Sequence, residues 1–137
     1  MTTDLHMTVS AAVEALRSEL TALSRHLYLH PELSLAENES TALLQGSLKK
    51  AGFTVTAGVA GLPTSFVASM RSASPGPRIA FLAEYDALPG IGHACGHNLI
   101  AAAGLGAGLS LARCLDRIGG EVLVIGTPAE ETIGGKV

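Results

Sequence analysis

The sequence predicts an α/β fold in which helices pack on a mostly parallel sheet. Two nearly unbroken apolar runs, Arg78 to Tyr85 (RIAFLAEY) and Glu121 to Gly126 (EVLVIG), have the character of strands buried on both faces. An Ala/Gly-rich segment from about Asn98 to Ile118 lies between them and reads as a buried helix stopped by Gly119 and Gly120. Strand, helix and strand in that order imply a right-handed crossover joining parallel neighbours. In open sheets of this kind ligands bind beyond the carboxyl ends of the strands, where loops and helix starts gather.

The amino-terminal half supplies covering elements. Val13, Leu16, Leu20, Leu23 and Leu27 step by three and four, so an amphipathic helix is expected from about Ser10 to His30, halted by Pro31. Ser34 followed by Glu37 matches a capping box and Gly52 a left-handed stop, which places a second helix over about Leu35 to Ala51. Phe53, Val55 and Ala57 alternate with Thr54 and Thr56, and Phe66 to Met70 follows a Gly/Pro loop; both read as half-exposed strands. His30 is expected to cap the negative end of the first helix, and His6 and His26 to be solvated.

Composition narrows the function classes. A chain of 137 residues, 47% hydrophobic and 15% charged, has enough apolar material for the core of one domain and excludes a disordered tail. Nine Lys plus Arg against twelve Asp plus Glu, with no run of like charge, lack the footprint of a nucleic-acid binder. The longest uncharged apolar run, Leu99 to Ala112, is shorter than the roughly 20 residues of a membrane span. Met1 to Leu16 carries Asp4 and Glu14 and has no signal-peptide pattern, so the cytoplasm is the expected compartment. Cys95 and Cys114, without a CxxC pair, fit reduced thiols, and Cys114 reads as a small buried hydrophobe.

Three polar clusters fall at the expected ligand edge: Glu84 with Asp86, then His93, Cys95 and His97, then Glu130 with Glu131. In an extended loop, residues two apart point the same way, so Glu84 with Asp86 and Cys95 with His97 can each converge. Thiolate, imidazole and carboxylate together suit zinc, with manganese or cobalt as alternatives. Glu130 and Glu131, adjacent on an irregular loop, are expected to diverge, one toward metal and the other toward water as a base. Each residue also has a plainer reading: Glu84 as a solvated strand end, Asp86 as a turn cap, Glu130 and Glu131 as a wet surface pair. Two rival functions remain at this point. One is a thiol enzyme with Cys95 activated by a neighbouring His at a helix start, which would survive a strong chelator. The other is a non-catalytic fragment or binding module.

AEYDALPGIGHACGHNLIAAAG at Ala83 to Gly104, followed by GTPAEE at Gly126 to Glu131, resembles the two-metal family of amidohydrolases and metallopeptidases that includes aminoacylases and glutamate carboxypeptidases. It looks closest to the branch of auxin-conjugate amidohydrolases, p-aminobenzoyl-glutamate hydrolases and β-alanyl dipeptidases. The segment Leu29 to Val55 also resembles that family's amino-terminal signature.

Carried over by position, the resemblance implies that Cys95, His97 and Glu131 are metal ligands, that Glu130 is the general base and that Asp86 supports the cluster. It implies two divalent ions, zinc or manganese, in the complete enzyme, and hydrolysis of an amide bond in a small N-acyl amino acid or dipeptide. Asn98 stands where many relatives have Asp, which implies one fewer carboxylate near the metal, and Glu84 stands where aminoacylases place a ligating His. The family extends well past the GluGlu motif. Residues 1–137 are therefore expected to be the amino-terminal, metal-binding part of a zinc-peptidase-like catalytic domain, inactive alone, with the remaining catalytic sheet and the domain for homodimerisation absent.

Overall fold

The computed structural model describes residues 2–136. Its elements are α1 (Thr2–Leu29), α2 (Asn38–Lys50), β1 (Thr54–Ala57), β2 (Phe66–Arg71), β3 (Arg78–Ala83), α3 (His97–Ala112), α4 (Leu115–Ile118), β4 (Glu121–Gly126) and α5 (Glu130–Ile133), with a 3-10 turn at Val59–Gly61. The α/β class holds, and so does the crossover: β3 and β4 are parallel neighbours joined through α3. The four strands lie in the order β1-β2-β4-β3, and parallel pairing is confined to β3 and β4, because β2 runs antiparallel to both β1 and β4.

This order makes β4 a central strand, buried from Glu121 through Val124. β3 differs from the expectation of burial on both faces. Among the described residues it has one paired side only, its burial alternates, and Leu82 is 46% exposed. The core lies under β2 and β4, where Phe66, Val122 and Val124 meet Leu23 and Leu27 of α1, Leu44 and Leu48 of α2, and Ala101 and Leu105 of α3. Helix α3 is rich in small residues because it lies so close to the sheet. A Cβ on Gly104 would collide with the Leu82 carbonyl, and one on Gly108 with the Val124 side chain.

Helix boundaries depart from the sequence pattern for local reasons. α1 begins at Thr2, well before its apolar stripe; Arg117 ties down the added turns through the Asp4 carboxylate at 2.5 Å and the Thr8 hydroxyl at 3.2 Å. α2 starts at Asn38 and the Ser34–Glu37 capping box does not form. The Glu32 carboxylate caps the helix instead, accepting the amides of Glu39 at 2.9 Å and Ser40 at 2.7 Å. Burial pushes the Glu32 carboxyl up, but these amides outweigh it and hold it below the usual range. His26 is not merely solvated: it pairs with Glu39 at 2.8 Å and stacks on His30. The helix after His97 breaks at Cys114, which is buried as expected, and α4 stops at Gly119. Among the described residues no helix is long and apolar enough to cross a membrane.

Candidate metal centre

The chain leaves β3 at Ala83 and delivers Glu84, Tyr85 and Asp86 to the carboxyl edge of the sheet, beside the first residue of α3 and the first turn of α5. Gly96, at φ 80°, supplies the left-handed turn into α3. His97 is thereby buried with its ring at the centre of the cluster. Its Nδ1 lies 2.9 Å from the backbone carbonyl of Asp86. Its Nε2 faces Glu84 at 3.2 Å, Glu131 at 3.5 Å and Glu130 at 3.8 Å. Glu84, His97 and Glu130 each offer a ligand atom, all within 4.8 Å of one another.

Glu84 is therefore not a solvated strand end; it is 8% exposed. Nor do Glu130 and Glu131 diverge on an irregular loop. They open the short helix α5, and both carboxylates reach the same imidazole. The cause lies one residue earlier, where buried Ala129 takes a left-handed conformation at φ 57°. This is strained for a residue with a Cβ, at about 1–3 kcal/mol.

Asp86 holds the two halves of the cluster together. Its Oδ2 accepts the Ser34 hydroxyl at 2.8 Å and the Glu131 amide at 3.0 Å. Burial pushes its carboxyl up, yet the Glu131 amide, the Ser34 hydroxyl, the Glu130 amide and the nearby His97 together hold it below the ordinary range. The buried Oδ1 faces His97 Nδ1 at 3.2 Å without the alignment of a hydrogen bond, and neither ring nitrogen of buried His93 has a hydrogen-bond partner. Burial, then the neighbouring His97, push the His93 imidazole toward its neutral form.

Cys95 is exposed and lies against Glu131. The neighbouring Glu131 carboxylate first, and then the charges of Glu130 and Asp86, push its thiol up. Asn98 is turned away from the cluster: its amide donates to the Ser24 carbonyl at 3.3 Å and hydroxyl at 3.0 Å, joining α3 to α1.

Lys136 is not legible in the sequence as part of the cluster. Its ammonium lies 2.5 Å from Glu84 and 3.1 Å from Glu130, brought back by the glycine turn after α5. The His97 imidazole and the Glu84 and Glu130 carboxylates, each with a ligand atom within 4.8 Å of the others and with Glu131 beside them, outnumber this ammonium in charge and are a donor set that fits a divalent cation.

No family model matches the chain. It is 42% identical over 138 residues to the Xaa-Arg dipeptidase of Mus musculus, covering 91% of this chain and 32% of that protein. It is 34% identical over 152 residues to one of the subunits of p-aminobenzoyl-glutamate hydrolase from Escherichia coli, covering 97% of this chain and 31% of that one. The crystal structure of a dinuclear metal-binding peptidase of the M20 family from Bacillus subtilis shares the fold with a TM-score of 0.77 at 32% identity, over 86% of this chain and 36% of that one. The chain thus spans about a third of the length of the curated relatives it matches.

Proposed function

We infer that this chain, a relative in sequence and fold of the M20 metal-dependent dipeptidases and amidohydrolases, carries the metal-binding part of an enzyme that hydrolyses an amide bond in a small N-acyl amino acid or dipeptide. The observation that carries the reading is the convergence of Glu84, His97, Glu130 and Glu131 on one point at the carboxyl ends of the two parallel strands. Residues 1–137 are read as part of a catalytic domain.

In this reading His97, Cys95 and Glu131 hold the metal, and Glu84 adds a carboxylate that the sequence left without a role. A bound zinc or manganese ion supplies Lewis acidity toward the scissile carbonyl. His97 is oriented by the Asp86 carbonyl on Nδ1, which leaves Nε2 free to act as the donor. Glu130 takes a proton from the attacking water and returns it to the leaving amine. Asp86 fixes the turn that presents Glu131 through its amide. We extend the reading to two ions in the complete enzyme, a cytoplasmic homodimer, and partners that are small molecules rather than nucleic acid or membrane.

The test is hydrolysis of a panel of dipeptides and N-acyl amino acids by the protein expressed from its full reading frame. Turnover lost to a strong chelator and restored by zinc or manganese is expected. Chelator-resistant turnover would favour Cys95 as nucleophile, and no turnover across the panel would overturn the hydrolase reading.

A further inference from the structure

We propose that Glu37 is a positioning residue for the Glu130–Glu131 turn, acting through the backbone amide of Ala129; the proposal rests on the reading of Glu130 as base and Glu131 as ligand. The Glu37 side chain is fully buried, at 0% exposed. One carboxylate oxygen accepts the Ala129 amide at 2.8 Å and the other accepts the Thr64 hydroxyl at 2.7 Å. A buried carboxyl group is retained only where hydrogen bonds offset its loss of water, and here both oxygens are engaged far from their own helix.

Local structure does not require this carboxylate. Glu37 stands at the N-cap of α2 yet makes no side-chain bond to that helix, whose free amides are taken by Glu32. What Glu37 holds is the one residue that aims the site. Ala129 sits in the left-handed region immediately before Glu130, where a residue with a Cβ is strained. With its amide fixed, the chain leaving β4 turns so that Glu130 and Glu131 both face His97. Without this acceptor, the strain at Ala129 is opposed by the Asp86 hold on the Glu131 amide but no longer by Glu37, and the turn loosens around Glu130. The same node reaches the other strand: the Tyr85 hydroxyl donates to the Thr64 carbonyl at 2.7 Å, and Tyr85 lies between Glu84 and Asp86.

Glu37→Leu, of similar bulk, removes the acceptor, and Glu37→Gln keeps one. In the leucine variant, amides from Ala129 to Ile133 should exchange with deuterium about tenfold faster, while β4 keeps its protection. Affinity for zinc alone should fall about tenfold, and kcat about 10–100-fold with KM little changed. Glu37→Gln should restore all three, and Ala129→Gly in the leucine background should restore part, because glycine enters the left-handed region without strain.

Unchanged exchange and zinc affinity in the leucine variant would overturn the proposal, as would a glutamine variant no better than leucine. If Glu37→Leu does not fold, Glu37→Asp decides: it keeps a carboxylate but draws it one methylene back from the Ala129 amide, and faster exchange at Ala129 supports the proposal while unchanged exchange overturns it. A Glu130→Gln variant with full activity would remove the base reading and leave the exchange result standing.

Discussion

The backbone carbonyl of Asp86 and the Nδ1 of His97 lie 2.9 Å apart, while the Asp86 side chain accepts the amide of Glu131 at 3.0 Å. One residue therefore orients the imidazole through its main chain and a carboxylate-bearing turn through Oδ2 of its side chain, while Oδ1 also faces Nδ1 at 3.2 Å. Asp86→Ala keeps the carbonyl contact to Nδ1 and removes what the carboxylate does for the Glu131 turn and beside the imidazole. Zinc affinity should fall about 10–100-fold through loss of the Glu131 turn. A zinc titration identical to the parent would remove Asp86 from the centre.

Glu130→Gln should leave metal content unchanged and lower kcat about 10²–10⁴-fold, because the amide keeps the shape of the side chain but cannot accept a proton. Metal analysis and steady-state kinetics on the same preparation check this. Near-normal turnover would exclude Glu130 as the base.

Cys95 is exposed, so its reaction with an alkylating agent reports on what holds it. As a ligand it should react slowly in the metal-loaded protein and faster after chelation. Equal rates with and without metal would count against ligation.

Asn98→Asp should loosen the contact of α3 with α1 and leave the metal centre alone. The substitution replaces an amide donor by an acceptor facing the Ser24 carbonyl, a loss of about 1–3 kcal/mol. Denaturant unfolding should show the destabilisation while zinc affinity stays at the parent value; a gain in zinc affinity would show that position 98 faces the metal.

The Glu32 carboxyl is held below its ordinary value by the amides of α2 against the opposing push of burial. A depressed carboxyl contributes stability that is present above its unfolded value and lost as pH falls through the folded one. Stability should therefore decline as pH drops below about 4, and Glu32→Gln should flatten part of that decline. An unaltered pH profile in the glutamine variant would exclude the cap as the source.

The strand, helix and strand of the carboxyl half are legible in the sequence because long apolar runs bounded by glycines leave few alternatives. So is the polar cluster, since Glu84, Asp86, His97, Glu130 and Glu131 all follow strand ends or open a helix. Other features follow from pairings that no local pattern records. β2 joining β4 antiparallel is a choice of partner, and hydrophobic alternation in Phe66 to Met70 does not name one. Ser34 and Glu37 satisfy a capping motif on paper, yet the hydroxyl goes to Asp86 and the carboxylate to Ala129. The left-handed Ala129 has no signature in a sequence, so the shared direction of Glu130 and Glu131 emerges only in three dimensions.

The connections that complete the centre join residues 45, 52 and 92 positions apart. Contacts of such separation form after the local helices, because chain closure must precede them. The centre therefore exists only where the sheet, the segment before α2 and the turn before α5 are all in place. A cation that binds only this assembled centre would hold together segments far apart in the chain and favour the folded state over the unfolded one.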